Sequence, residues 1–233
     1  LPIYSFYKDA RLRRITRYRY NNNPVDMEGF RVYIKETGSD GRADIWNPGW
    51  MPVKTEPDEY RCRHGLGYTV IEGSRNQLKA FQTFLVPVSD DCMLMKLELE
   101  NDSPQKKEFD VFTYVEFCLW DAMDDSSNFQ RNYSCGEVET EPDAIYHKTE
   151  YRERRDHYSF VWSDRAFDGF DTSRDAFCGV YTGAERPQAV FGEGCTGSIC
   201  PGTTRLPRIW QRKKRKPKET SKNSHILQKI LSD

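Results

Sequence analysis

The segment WDAMDDSSNFQRN, residues 120–132, follows a long apolar run and gathers acids, hydroxyls and amides around one phenylalanine. Its last five residues are Asn128, Phe129, Gln130, Arg131 and Asn132. Amide and guanidinium groups bind sugar hydroxyls through several hydrogen bonds, and the C–H face of a pyranose packs on an aromatic ring. From the residues alone, a sugar-facing loop and an ordinary polar loop are equally compatible with this segment.

The same segment contains three acids, Asp121, Asp124 and Asp125, which are residue types that can act as a general acid and base. Three carboxylates within five residues are more often solvated turn acids, and this spacing does not indicate the carboxyl separation that a glycosidase pair requires. We therefore assign no catalytic residue to the chain.

A second charged segment, YHKTEYRERRDHY at residues 146–158, reads as a ladder of alternating charge on a solvated or subunit-facing strand. A phosphate site built from Arg152, Arg154 and Arg155 is the weaker interpretation, because the neighbouring acids compete for those cations. The ladder interpretation is preferred.

Metal and disulfide chemistry receive no support from the spacing of histidines and cysteines. The four histidines lack HxH or HExxH spacing, and the seven cysteines form no CxxC pair, so we expect no metal, no cofactor and no disulfide framework. No apolar stretch approaches the roughly 18 residues that span a bilayer. The sequence predicts a protein with reduced thiols, no export signal and a cytoplasmic location.

The net charge of −1 averages two unlike segments. Residues 201–233 hold 10 Lys and Arg against 2 acids, which leaves 25 basic and 34 acidic residues in positions 1–200. A run of like charge, here residues 213–218, is typical of polyanion binding or of a disordered tail. We expect the tail to be disordered or a short helix.

The elements that must position residues 120–132 are strands. In CMLMKLELEN the apolar Met93, Met95, Leu97 and Leu99 alternate with charged residues, which is the period of a half-buried strand. FDVFTYVEFCLW is apolar at both alternations and is predicted to be a central strand covered on both faces. One side carries Phe109, Val111, Val115, Phe117 and Leu119, and the other carries Phe112, Tyr114 and Trp120. Turns at GSDG, at Asn47-Pro48-Gly49 and at EPD complete a pattern of antiparallel hairpins. The fold class is all-β, a large antiparallel β-sandwich.

Several long motifs resemble the amino-terminal region of cellobiose phosphorylases, of glycoside hydrolase family 94. They are YSFYKDARLRRITRYRYNNNPVD, WNPGWMPVKTE, RHGLGYT, VEFCLWDAMDDSSNFQRN, GEVE, IYHKTEYRERRDHY and DGFDTSRDAF, in this order between residues 4 and 199. The resemblance implies a super-sandwich of the galactose-mutarotase-like type. It also implies an enzyme of the glycosyltransferase class, a homodimer, that converts cellobiose and inorganic phosphate to α-glucose 1-phosphate and glucose with inversion.

The resemblance further implies roles and boundaries. The general acid is expected in an (α/α)₆ barrel that nothing here resembles, so the chain is expected to be an inactive fragment, incomplete at both ends. Gln130 and Arg131, supported by Asn128, Phe129 and Asn132, match a loop that reaches the sugar site of the partner subunit. Residues 1–200 are expected to form the sandwich, and residues 201–233 to be a non-family tail from a frameshift or a fusion.

Two alternatives stay open at this point. One is a stand-alone carbohydrate-binding sandwich, and the other is a polyanion binder acting through the basic tail. The resemblance disfavours nucleic acid as a partner and makes cellobiose, or a related β-glucosyl disaccharide, the expected ligand.

Overall fold

The computed structural model describes residues 30–38, 41–88, 92–115, 136–149, 158–197, 208–214 and 224–231. Thirteen strands and two short helices lie in these ranges. The strands are β1 Arg31–Thr37, β2 Ala43–Trp46, β3 Glu59–Gly65, β4 Tyr68–Arg75, β5 Leu78–Leu85, β6 Cys92–Asn101, β7 Glu108–Tyr114, β8 Gly136–Thr140, β9 Ala144–Thr149, β10 Tyr158–Ser163, β11 Gly169–Asp171, β12 Arg208–Lys214 and β13 Ser224–Leu231. The helices are α1 Arg174–Cys178 and α2 Gln188–Phe191.

The described strands form two antiparallel sheets. The five-stranded sheet has the order β11-β12-β7-β1-β2, and the eight-stranded sheet has the order β3-β4-β5-β6-β13-β10-β9-β8. Every pairing is antiparallel, as short hairpin connections require. The predicted all-β sandwich is confirmed.

The main core lies between the sheets and is built from alternate residues of each strand. On β6 the predicted inward set, Met93, Met95, Leu97 and Leu99, is buried and belongs to this core. It meets Phe109 and Val111 of β7 and Ile34 of β1 across the sandwich. Burial of such side chains stabilises the fold by about 1.5–3 kcal/mol each relative to exposure, which fixes the register of these strands.

The five-stranded sheet is also covered on its outer face. Phe112 and Tyr114 of β7 join Tyr33 and the helical residue Phe177 in a second buried cluster. The prediction that β7 is covered on both faces is therefore confirmed for its described residues. Both helices are short, and within the described ranges no helix is long and apolar enough to cross a membrane.

The predicted turns connect the strands as expected. Gly38 and Gly41 close the β1–β2 hairpin, with the Gly41 N–H donating to the Gly38 carbonyl at 3.0 Å. The Trp50 N–H donates to the Asn47 carbonyl at 3.2 Å, which closes the turn at residues 47–50. The EPD turn lies between β8 and β9.

The basic tail departs from its prediction of disorder or a short helix. Residues 208–214 form β12 between β7 and β11, and residues 224–231 form β13 between β6 and β10. The charge count concealed two segments with enough apolar and β-branched residues to join a sheet, RIWQRKK and SHILQKIL. Of the basic run at 213–218, Lys213 and Lys214 are thus part of a strand that pairs with β7.

Candidate functional site

The five predicted sugar-facing residues, Asn128, Phe129, Gln130, Arg131 and Asn132, lie outside the described residues, as do Asp121, Asp124, Asp125, Arg152, Arg154 and Arg155. The structure does describe what holds the two ends of residues 116–135. The chain leaves the five-stranded sheet at Val115, after β7, and enters the eight-stranded sheet at Gly136, the start of its edge strand β8. The candidate loop thus connects the two layers of the sandwich.

The strand before this loop is held on all sides. Tyr114 at its end pairs with Arg31 of β1 and with Arg208 of β12 in the backbone ladders. On the outer face the Tyr114 ring stacks on Phe177 with centroids 5.4 Å apart and planes at 4°. On the core side Val115 is buried. A loop that leaves such a strand begins from a fixed point, which suits a binding role.

The segment that contains α1 and α2 is held against the five-stranded sheet by polar contacts as well as by packing. The buried Tyr33 hydroxyl donates to the Ala184 carbonyl at 2.9 Å. Asp171, the fully buried last residue of β11, accepts hydrogen bonds from the backbone N–H and the hydroxyl of Thr196 at 3.0 and 2.6 Å. These contacts fix the segment that supports Tyr114 from outside.

The strands after the loop contain a buried histidine. His147 on β9 is fully buried, and desolvation lowers its pKa to about 4. The imidazole is therefore neutral at neutral pH. In the part of the chain that the structure describes, no three His, Cys, Asp or Glu side chains are grouped as metal ligands would be.

A polar cleft of about 910 Å³ lies at the other end of β7. Its lining comes from the β1–β2 and β4–β5 turns and from the β6–β7 connection, and includes Glu36, Asp44, Asn76 and Lys107. Six residue steps of β7, roughly 20 Å at the usual rise of a strand, separate Glu108 at this cleft from Tyr114 beside the candidate loop. The cleft and the point where the chain enters residues 116–135 therefore lie at opposite ends of β7.

The groups lining the cleft are mostly paired with one another. The nearly buried Glu36 carboxylate accepts from the Trp46 indole N–H at 2.9 Å and from the Lys107 ammonium at 2.7 Å. The Lys107 ammonium also donates to the Asn76 carbonyl.

The second half of the same network centres on Asp44, which receives two hydrogen bonds from the Arg75 guanidinium at 2.5 and 3.1 Å and one from the Asn76 amide at 2.8 Å. The pKa of Arg75 is raised, first by this hydrogen bonding to Asp44. Glu36 and Asp44 belong to the five-stranded sheet and Arg75 to the eight-stranded sheet, so this hydrogen-bond network joins the two layers. The network is called the polar clasp below.

Sequence reasoning missed the polar clasp and also a row of side chains on β3. In EYRCRHG, the side chains of Tyr60, Cys62 and His64 alternate with Arg61 and Arg63. This period of two was a sequence signal for one shared face. The CxxC and HxH spacings do not include a Cys-x-His pair, so they did not identify Cys62 and His64. Glu36 could have been found as the one acid at an inward position of β1.

Comparison with known proteins now identifies the class. The family described as "Glycosyl hydrolase 94, supersandwich domain" matches residues 3–205. This chain belongs to the glycosyl hydrolase 94 family through that domain, and its two-layer antiparallel fold agrees with the match.

Three curated relatives are named as phosphorylases. The N,N'-diacetylchitobiose phosphorylase of Vibrio furnissii is 32% identical over 200 residues, which are 84% of this chain and 24% of that protein. The solabiose phosphorylase of Paenibacillus borealis is 31% identical over 172 residues, 73% of this chain and 22% of that protein. The 3-O-beta-D-glucopyranosyl-beta-D-glucuronide phosphorylase of the same species is 27% identical over 182 residues, 76% of this chain and 23% of that protein. The chain thus spans about a quarter of the length of these relatives.

Proposed function

We propose that this chain is the supersandwich part of an inverting disaccharide phosphorylase, in which inorganic phosphate attacks the anomeric carbon in place of water. The products of the reaction are α-glucose 1-phosphate and a free sugar. The observation that carries the proposal is the family match over residues 3–205 together with relatives that are named phosphorylases. The proposal places the general acid outside this chain, so the chain alone is expected to be inactive.

The second part of the proposal assigns residues 128–132 to the acceptor-sugar site of a partner subunit in a homodimer. Gln130 and Arg131 donate hydrogen bonds to sugar hydroxyls, Phe129 offers a face to the ring, and Asn128 and Asn132 support the loop. The support for this role is the anchoring of the loop by β7, which is packed on both faces.

The third part concerns the sugar. The relatives are named for different disaccharides, all cleaved by phosphorylases. We propose cellobiose or a related β-glucosyl disaccharide as substrate, and a cytoplasmic location, where inorganic phosphate and reduced thiols are both available.

An NMR titration of the isotope-labelled chain with cellobiose tests the loop. We expect weak binding, with a Kd on the order of millimolar because the partner subunit's share of the site is absent. Chemical shifts of residues 128–132 should change, and Arg131→Ala should abolish the change. Arg165→Ala, an exposed arginine after β10, is the matched control and should titrate as the wild type does.

The outcomes separate the proposal from its rival. Chemical-shift changes that persist in Arg131→Ala would contradict the assignment of the loop to the sugar site. Binding that is a hundredfold tighter than millimolar would instead favour a stand-alone carbohydrate-binding module. A parallel titration with N,N'-diacetylchitobiose decides the sugar: a stronger response to it would replace cellobiose and leave the loop assignment intact.

Two further measurements test the assignment to a phosphorylase. The isolated chain, given cellobiose and phosphate, should form no detectable glucose 1-phosphate, and clear product would contradict a general acid outside the chain. Resequencing the locus past the codon for Cys200 should reveal barrel-like sequence in one of the frames. Its absence from every frame would count against a phosphorylase.

A further inference from the structure

The alternating row on β3 places a thiol, an imidazole and a hydroxyl side by side at the edge of the eight-stranded sheet. Cys62 and His64 are two residues apart and therefore lie on one face of the strand. Thr69 of β4 is the direct cross-strand partner of His64. The hairpin thus brings three reactive or polar groups into one line.

The distances within this line correspond to hydrogen bonds. The Cys62 Sγ lies 3.5 Å from the His64 Nε2, and the His64 Nδ1 lies 2.9 Å from the Thr69 Oγ1. When Nδ1–H donates to the threonine hydroxyl, the lone pair of Nε2 faces the thiol. A nucleophile, a base and a group that orients the base are therefore in contact, which is the arrangement that activates a cysteine.

Tyr60 lies on the same face of β3 as Cys62, since the two are two residues apart on the strand. The pKa of Tyr60 is raised, first by partial burial and then by the charge of Cys62 and a hydrogen bond to it.

The thiol can be reached from solvent. β3 is an edge strand, His64 is exposed, and Cys62 is partly buried. Cys92 and Cys178 are buried, and Cys195 is partly buried, as Cys62 is. Cys195 therefore serves as the internal reference for accessibility.

We propose that Cys62 is a nucleophilic modification site for low-molecular-weight disulfides, with His64 as its base and Thr69 as the residue that positions His64. This site shares no residue with the proposed sugar loop and does not rest on the proposed phosphorylase activity. In the reaction, the Cys62 thiol proton moves to His64 Nε2 as the sulfur attacks one sulfur of the disulfide. The S–S bond of the reagent breaks, a mixed disulfide forms on Cys62, and the leaving thiolate takes the proton from His64.

Labelling kinetics of the whole chain with the small uncharged reagent dithiodipyridine test the proposal at neutral pH. Peptide mass spectrometry assigns the rate at each cysteine. We expect Cys62 to react about tenfold faster than Cys195, since nucleophilic assistance and not exposure alone sets the rate. His64→Gln should slow Cys62 by about tenfold and Thr69→Val by a smaller factor.

Controls distinguish assistance from a change of structure. Arg63→Gln alters an exposed side chain on the opposite face of β3 and should change the Cys62 rate by less than about twofold. The Cys195 rate and the melting temperature should be the same in all four proteins. Equal Cys62 rates in the wild type and His64→Gln would overturn the proposal, as would labelling of Cys195 before Cys62.

Discussion

Replacing Lys107 with Met tests whether the polar clasp holds the two sheets together. The Lys107 side chain is 16% exposed and that of Glu36 is 9% exposed, with the ammonium and carboxylate 2.7 Å apart. The substitution removes the ammonium group but keeps a long unbranched side chain, and it leaves the Glu36 carboxylate with only the Trp46 indole as a described donor. A nearly buried carboxylate without its counter-ion destabilises the folded state.

The magnitude follows from this burial. Breaking a fully buried ion pair by removing one partner costs about 3–5 kcal/mol, and the residual exposure here reduces the expected loss to about 2–3 kcal/mol. For a domain of this size, 1 kcal/mol shifts the melting temperature by about 2–4 °C, so Lys107→Met should lower it by about 5–10 °C.

The neighbouring lysine provides a matched control. Lys106 pairs with Glu108 at 3.2 Å, but these side chains are 45% and 42% exposed. Such a pair contributes less than about 0.5 kcal/mol, so Lys106→Met should shift the melting temperature by no more than about 2 °C.

Differential scanning fluorimetry and urea denaturation of both variants provide the measurements. The double variant Glu36→Gln/Lys107→Met should recover more than half of the loss, because no buried charge is then left without a counter-ion. Equal shifts for Lys106→Met and Lys107→Met would refute the reasoning, since burial would then have no effect on the strength of the pair.

Two further changes test the core and the contact between a turn and β4. His147 has a folded pKa of about 4 against 6.5 in the unfolded chain, so the unfolded state binds the extra proton and stability falls as the pH drops through this window. Urea denaturation should show about 2–3 kcal/mol of this loss between pH 7.5 and 4.5, and His147→Gln should lack that part; an unchanged pH dependence would contradict the assignment. A Cβ on Gly73 would lie 2.9 Å from the Pro48 carbonyl oxygen and 3.0 Å from its Cα. Gly73→Ala should therefore cost about 1–3 kcal/mol by denaturation, whereas Gly183→Ala, with open space around it, should cost less; similar losses in both would discount the close contact.

Much of the sandwich could be predicted because its strands carry a clear period of two. The alternation of Met93, Met95, Leu97 and Leu99 placed one face of β6 in the core, and the two apolar faces of β7 required cover on both sides. Turn residues then separated the hairpins correctly. These are local signals, and the structure retains them.

Other features depend on partners that are distant in sequence. Glu36 is an acid at an inward position, and only the fold shows that Trp46 and Lys107 satisfy it. The charge count predicted disorder or a short helix for the tail, whereas β12 and β13 pair with β7 and β6 through their backbones. The predicted sugar-site residues 128–132 remain a prediction, because they lie outside the described residues.

The placement of β12 and β13 has a consequence for biosynthesis. Each is an interior strand of its sheet, and both are made well after their neighbours β6 and β7. Neither layer can close until residues 208–231 have emerged from the ribosome. Until translation reaches residue 231, β6, β7 and β10 offer open hydrogen-bonding edges, which makes the unfinished molecule a natural client for chaperones.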